Sequence, residues 1–302
     1  MRCEEKERFA ELLADLCNGI VEPPAAHTGR PRLPLWLTTF ANVYKVYSRF
    51  STRRFTSDLR AVQAAGLIPQ VPHFNSVSRA MASPTLTPVL KELVTLSSPP
   101  LKAVETDFAV DSSGFSTSRF VRWFDAKYGE KSMREFVKCH LMCGVNTNVV
   151  TSAELTGWTG ADHNYLRPLV AATAENFAIG EVSADKAYLS HTNVDAIEKF
   201  GGTPFIPFKV NTVVPKDEGG WARMYHRFAL DREAFLRHYH RRSNVETVFS
   251  MMKGKFGDAV LSKSDTGQHN EVLCKVVAHN ICVVIQAVHE LRVDPTFRAL
   301  AG

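Results

Sequence analysis

The sequence holds little that would place the chain in a membrane or outside a cell. No apolar run reaches the ~18–20 residues needed to cross a bilayer. The opening stretch, MRCEEKERFAELL, is too charged for a secretory signal. Six cysteines in 302 residues do not make a disulfide framework. They are also badly spaced for zinc. Cys139 and Cys143 fall in a predicted strand, EFVKCHLMCGV, which sets them ~13 Å apart. Cys274 and Cys282, with His279 between them, fall in a predicted helix, about 12 Å apart along its axis. Buried free thiols are the expectation. Internal repeats and low-complexity segments are absent. A cytoplasmic protein without a membrane partner is expected.

Acidic residues are scarce in one region. Between Pro24 and Pro100 there are nine Lys and Arg against two acids, a local net charge of +7. The whole chain carries only +5, so the remainder is slightly acidic. A basic module on a near-neutral body suits a polyanionic partner, against the plainer reading of a solvated basic surface.

What is present is an ordered series of predicted elements. Glu4–Cys17 reads as a helix, with Phe9, Leu12, Leu13 and Leu16 on one face. Pro23, Pro24, Gly29, Pro31 and Pro34 make a linker that also holds His27, Arg30 and Arg32. Helices are expected over Leu35–Phe50, Phe55–Ala65 and Asn75–Ala82, with a boundary at Ser97-Ser98-Pro99-Pro100. Arg49, Arg53, Arg54, Arg60 and Arg79 on or near them fit a helix-turn-helix, a pattern that small helical bundles share. The texture then changes. Strands are expected over Thr106–Asp111, Glu135–Gly144, Asn148–Glu154, Glu181–Ala184 and Thr203–Val210. Helices are expected over His163–Phe177, with Asp162 as cap, and over Asn193–Phe200. Two more are expected, over Trp221–Lys255 in one piece and over Asn270–Leu291.

Near the end of the chain, Tyr239, Arg242, Glu246 and Lys253 stand in the spacing Y-(2)-R-(3)-E-(6)-K. On one continuous helix at ~100° per residue these offsets return to a single stripe. A carboxylate beside a phenol and two cations is suited to holding a phosphodiester against a divalent metal.

All four positions, and the surrounding run HYHRRSNVETVFSMMKGKFGD, resemble the DDE transposases of bacterial insertion sequences, in the group with this spacing. The resemblance implies an α/β, ribonuclease H-like catalytic domain, a mixed sheet flanked by helices, over 101–302. A small α-helical, basic, DNA-binding region over 1–100 would precede it. Asp111 in FAVDSSGF, Asp185 in EVSADKAYLS and Glu246 match the family's three acids. They would be both the catalytic residues and the ligands of Mg²⁺ or Mn²⁺, with two ions expected. Asp111 and Asp185 are each expected to terminate an apolar strand, a place where an Asp more commonly just starts a turn. Only 61 positions separate Asp185 from Glu246, so no large insertion intervenes.

Tyr239, Arg242 and Lys253, with Lys186 and Arg241, are the expected DNA contacts. Solvated helix surface is the plain alternative for the cations. Trp158 reads as a core residue, with stacking on a flipped base as the functional alternative. Among competing acids, Asp107 shares a strand face with Asp111, while Glu233 and Glu271 read as solvated helix surface.

The function that follows is a metal-dependent transposase. It would bind the terminal inverted repeats of an element, cut the ends, and transfer the 3′-hydroxyl to target DNA. Its partners would be double-stranded DNA and a second copy of itself, a homodimer on DNA associated with the nucleoid. Two alternatives stand beside it: a ribonuclease H-like nuclease without strand transfer, and a non-catalytic DNA-binding protein derived from a transposase.

Overall fold

The computed structural model describes residues 2–24, 32–117, 136–157, 160–216 and 218–297. Trp158, Glu135 and most of the expected 23–34 linker lie outside these. The chain divides into two compact units. The first gathers Met1–Pro100, Phe115–Val137 and Met252–Gly302; the second gathers Leu101–Gly114 and Lys138–Met251.

The first unit is helical. It holds α1 (Arg2–Cys17), α2 (Leu35–Ser48), α3 (Thr56–Ala64), α4 (Phe74–Met81) and α5 (Leu86–Leu96). The long C-terminal helix, Asp265–Leu291, packs against α5, α2, α1 and α4. α5 was not expected. Pro88 interrupts its apolar pattern, but a proline in a helix's first turn removes only an N–H that has no intrahelical partner. Leu86, Leu90, Leu93 and Val94 are its buried face.

The C-terminal helix is long and apolar enough to cross a membrane by length and composition, although no unbroken apolar run marks it. Within the fold, 78% of its most apolar stretch is buried. It buries polar groups as well as apolar ones, and three of them find partners within the same unit. Asn270 Nδ2 donates to Met81 O at 2.8 Å and Ser83 O at 3.0 Å. Lys275 Nζ donates to Gly257 O and Ala259 O, both at 2.8 Å. Glu271 is not the solvated acid expected. It is 4% exposed and accepts from Leu261 N, Ser262 N and Ser262 Oγ.

The second unit is built on a five-stranded mixed sheet in the order β3-β2-β1-β4-β5. The strands are β1 (Asp107–Ser116), β2 (Phe136–Gly144), β3 (Val150–Gly157), β4 (Glu181–Ala184) and β5 (Thr203–Phe205). β2 and β3 are joined by the short connection 145–149, which only an antiparallel pair allows. β1, β4 and β5 run parallel. β5 is an edge strand shorter than expected, because Pro204 and Pro207 cannot donate to a ladder.

Helices cover the sheet: α6 (Leu166–Ala174), α7 (His191–Lys199), α8 (Gly220–Leu230) and α9 (Arg232–Tyr239), followed by α10 (Ser243–Phe256), which runs on into the first unit's residues. The C-terminal helix is therefore α11. The core of the second unit includes Phe108, Val110, Val182 and Ala184 from the strands, with Leu166, Leu169, Val194, Ile197 and Phe235 from the helices.

The stretch expected as one helix, Trp221–Lys255, is broken twice. Asp231 leaves helical geometry at φ −136°, ψ 74°, and its carboxylate caps α9 by accepting from Ala234 N at 2.9 Å. A tight 3-10 turn, His240–Arg242, then separates α9 from α10. Asp162 is likewise not a cap for α6; it sits in a short 3-10 turn, Asp162–Asn164, ahead of that helix.

Candidate active site

Strand register brings the first two carboxylates together. β1 and β4 pair Asp107 with Glu181, Phe108 with Val182, Ala109 with Ser183 and Val110 with Ala184. One further step in the same register sets Asp111 beside Asp185, on strands ~4.8 Å apart. Asp185 follows the last residue of β4, as expected. Asp111 does not end its strand. β1 runs on to Ser116, whose N–H and carbonyl pair with Asp258 O and Val260 N. Asp111 therefore lies one step past its last pair with β4, within a continuing strand.

The break before α10 fixes the third carboxylate and the cation. Tyr239 is the last residue of α9, Arg242 the last of the 3-10 turn, and Glu246 lies in the first turn of α10. Asn244 Nδ2 donates to Val145 O, which ties the start of α10 to the β2–β3 connection. Arg242 then bridges two acids: Nη1 pairs with Asp111 Oδ2, and Nη2 with Glu246 Oε1 at 2.9 Å. Its guanidinium also stands over the Tyr239 ring, 5.9 Å from the centroid. Tyr239 OH donates to Asp185 Oδ1 at 3.5 Å, a long bond. Asp111, Asp185, Glu246, Tyr239 and Arg242 thus form one connected cluster.

Asp111 and Arg242 are each only one-fifth exposed, whereas Glu246 is 62% exposed. Burial holds the Asp111 carboxyl above its ordinary value, and the Asp185 charge adds to this. The Ser112 N–H and Arg242 act in the opposite sense. Burial works against the Arg242 charge too, but Asp111, Tyr239 and Glu246 outweigh it and raise its pKa. Among the described residues, no three His, Cys, Asp or Glu side chains already converge closely enough to hold a metal ion. The cation now among these acids is Arg242.

The other expected contacts make no bond within this cluster among those described. Because of the 3-10 turn there is no single helical stripe from Tyr239 to Lys253. Lys253, in the last turn of α10, belongs to the first unit, where its Nζ stands 5.4 Å from the centroid of the Phe115 ring. Arg241 pairs with Asp107 at 2.5 Å and with Glu181 at 3.3 Å. Those acids begin β1 and β4, four residues or ~13 Å of strand away from Asp111 and Asp185. Lys186 is exposed, directly after Asp185.

Sequence reasoning missed a partly buried polar network that begins at the residue after Asp111. Ser112 Oγ donates to Asp162 Oδ1 at 3.3 Å, and Lys138 Nζ pairs with the same oxygen at 2.5 Å. The His140 ring lies between Tyr188 OH at 3.3 Å and Thr156 Oγ1 at 3.1 Å, stacked on Tyr165. Burial pushes the His140 imidazole down to about 4; Lys138 adds to this and Asp162 opposes it. The network joins the residue after Asp111 to the turn after Asp185. Its signal was available: Lys138 and His140 alternate along one face of an otherwise apolar strand.

Compared with curated proteins and with solved structures, the chain has no match. Residues 102–281 match the family described as the transposase DDE domain. That match spans more than half of the chain, including all three acids and the segment that carries Tyr239 and Arg242, and on it the chain belongs to the transposase DDE domain family.

Proposed function

We propose that the chain is a metal-dependent DNA transposase whose second unit has a ribonuclease H-like fold. A 3-2-1-4-5 sheet, with a β2–β3 hairpin on one side of β1 and parallel strands on the other, supports that fold. The observation that carries the function is the register of β1 and β4, which sets Asp111 beside Asp185 while Arg242 links Asp111 to Glu246.

The residues fit divalent ions in kind. Carboxylate oxygens are the hard donors that Mg²⁺ and Mn²⁺ take. Two half-buried acids side by side need a cation, and Arg242 supplies one only at a point shared with Glu246. Asp111, Asp185 and Glu246 would hold the ions. When bound, such ions neutralise charge on a phosphodiester and lower the pKa of water.

The chain's own groups do the rest. Arg242 and Tyr239 are placed to exchange their carboxylate partners for a backbone phosphate, so that binding DNA frees Asp111 and Asp185. Their bonds orient the strand across the two strand ends. The basic helical N-terminal region binds the terminal inverted repeats. Cutting two ends in step, then joining each 3′-hydroxyl to target DNA, requires two copies on one DNA.

The test uses a duplex that carries the element's own end. Asp111→Asn should abolish end cleavage while leaving end binding in place. Cleavage that survives Asp111→Asn would overturn the proposal. Cleavage without joining to a target duplex would reduce it to a nuclease.

A further inference from the structure

Beside Asp185 lies a cavity of about 430 Å³ lined by His163, Lys186, Ala187, Leu189, Ser190 and Lys209. Two ammonium groups and an imidazole face it. All three side chains are exposed, and none has a carboxylate partner among the described residues. Arg167, Lys199, Arg227 and Arg232 of the same unit are likewise without a carboxylate partner among the described residues, while five other cations there have one. Lys138, Arg223, Arg237, Arg241 and Arg242 are each paired with an acid.

The walls are held firmly. Asn193 is fully buried, and its Nδ2 donates to His163 O at 2.8 Å and to Tyr188 O at 2.7 Å. One amide therefore clamps the turn that carries His163 to the turn that carries Lys186. The Tyr188 side chain, at the end of the second turn, is itself buried. The Ser190 hydroxyl is engaged with Asn193 N, so the charge facing the cavity is cationic.

We infer that this cavity is a phosphate pocket. It takes a backbone phosphate of the DNA strand that runs past Asp185, held by Lys186 and Lys209 with His163 as a third donor. This rests on the DNA substrate of the proposed function and adds Lys209 and His163 to it. The pocket would fix where the strand lies relative to the carboxylates, while Arg242 and Tyr239 act at the carboxylates themselves.

The experiment measures duplex affinity as a function of salt, in EDTA so that cutting plays no part, for wild type, Lys209→Ala, His163→Ala and Lys209→Arg. Removing one cation from a phosphate should flatten the slope of log K against log salt by about 0.9. Between about 50 mM and about 200 mM salt, Lys209→Ala should then lose affinity ~3.5-fold less steeply than wild type, and Lys209→Arg should restore the slope. His163→Ala should weaken binding in the same direction.

Variant slopes equal to that of a wild type that cuts DNA with Mg²⁺ would overturn the pocket and leave the transposase reading intact. Flattened variant slopes beside a wild type that binds but never cuts would keep the pocket and remove the transposase reading. Failure to bind any duplex overturns both. Inorganic phosphate titrated without DNA gives the last arm: Lys209-dependent binding as tight as that of the duplex would assign the pocket to a free phosphate ligand instead.

Discussion

Glu271 in the helical unit and Asp111 in the sheet unit are both carboxylates withdrawn from water, and they are satisfied in opposite ways. Glu271 accepts from two backbone N–H groups and a hydroxyl held by the fold. Nothing can replace those donors without unfolding the segment around Leu261 and Ser262. Asp111 has one such donor, Ser112 N, and its other partner is the end of a long side chain, Arg242. Arg242 is shared with an exposed acid, Glu246, and can move. Glu105 follows the first pattern: it is fully buried and accepts from Asn146 N and Thr147 N. A buried acid bonded to backbone is architecture, and one neutralised by a movable cation is a place where a ligand can exchange.

The strongest test of that contrast separates activity from stability. Asp185→Asn should reduce metal-dependent end cleavage by ~10³-fold or more, the loss of several kcal/mol of charge stabilisation. Its thermal melting should stay close to wild type. Glu271→Ala should do the reverse. The N–H groups of Leu261 and Ser262 would lose their acceptor, at a cost of about 1–3 kcal/mol. Denaturant unfolding should record that loss, while the folded fraction keeps its specific activity. An Asp185→Asn protein that melts as early as Glu271→Ala would erase the distinction.

The next largest effect is in acid. The imidazole of His140 has its folded pKa depressed to about 4, against 6.5 unfolded. The neutral ring therefore contributes stability that is fully present above pH 6.5 and is lost as the pH falls through about 4. His140→Asn should remove that acid sensitivity, on the order of 3 kcal/mol across the window. Unfolding midpoints of the two proteins, compared at neutral pH and near pH 4, check this.

A smaller effect has the opposite sense. The folded pKa of Asp111 is raised, so its stabilising contribution is full below its unfolded value of 3.8 and is lost as the pH rises through the folded value. At neutral pH the ionised carboxylate is a cost. Asp111→Asn should melt at or above wild type at pH 7, with the difference gone in acid. This is the stability–function trade expected of an active site. Smallest of all is Glu233→Ala. That acid pairs with Arg237 at 3.0 Å, but the two are 89% and 66% exposed, so unfolding should shift by less than ~0.5 kcal/mol.

Much of this arrangement is legible in the residues themselves, and the exceptions have physical reasons. β4 and the position of Asp185 follow from a short apolar run that ends in an acid. α1 follows from apolar periodicity. α5 escapes because Pro88 reads as a breaker unless its place in the first turn is known. The single helix expected from Trp221 to Lys255 overlooks Asp231 as a cap, and no local signal announces the 3-10 turn at His240–Arg242. That turn matters most for the site. Tyr239, Arg242 and Glu246 stay connected across it. Glu271 reads as solvated because periodicity alone places residues on a helix face and cannot say what covers it. The register of β1 against β4, a long-range fact, cannot be read from either strand alone.

The most direct measurement places purified protein on a labelled duplex carrying its own element end, with Mg²⁺ or with EDTA, beside Glu246→Gln. The expected result is nicking at the end that requires the metal and disappears in Glu246→Gln, with end binding retained by both proteins. Equal nicking by Glu246→Gln, or wild-type binding without any nicking in Mg²⁺, would contradict the claim that these three carboxylates form a catalytic site.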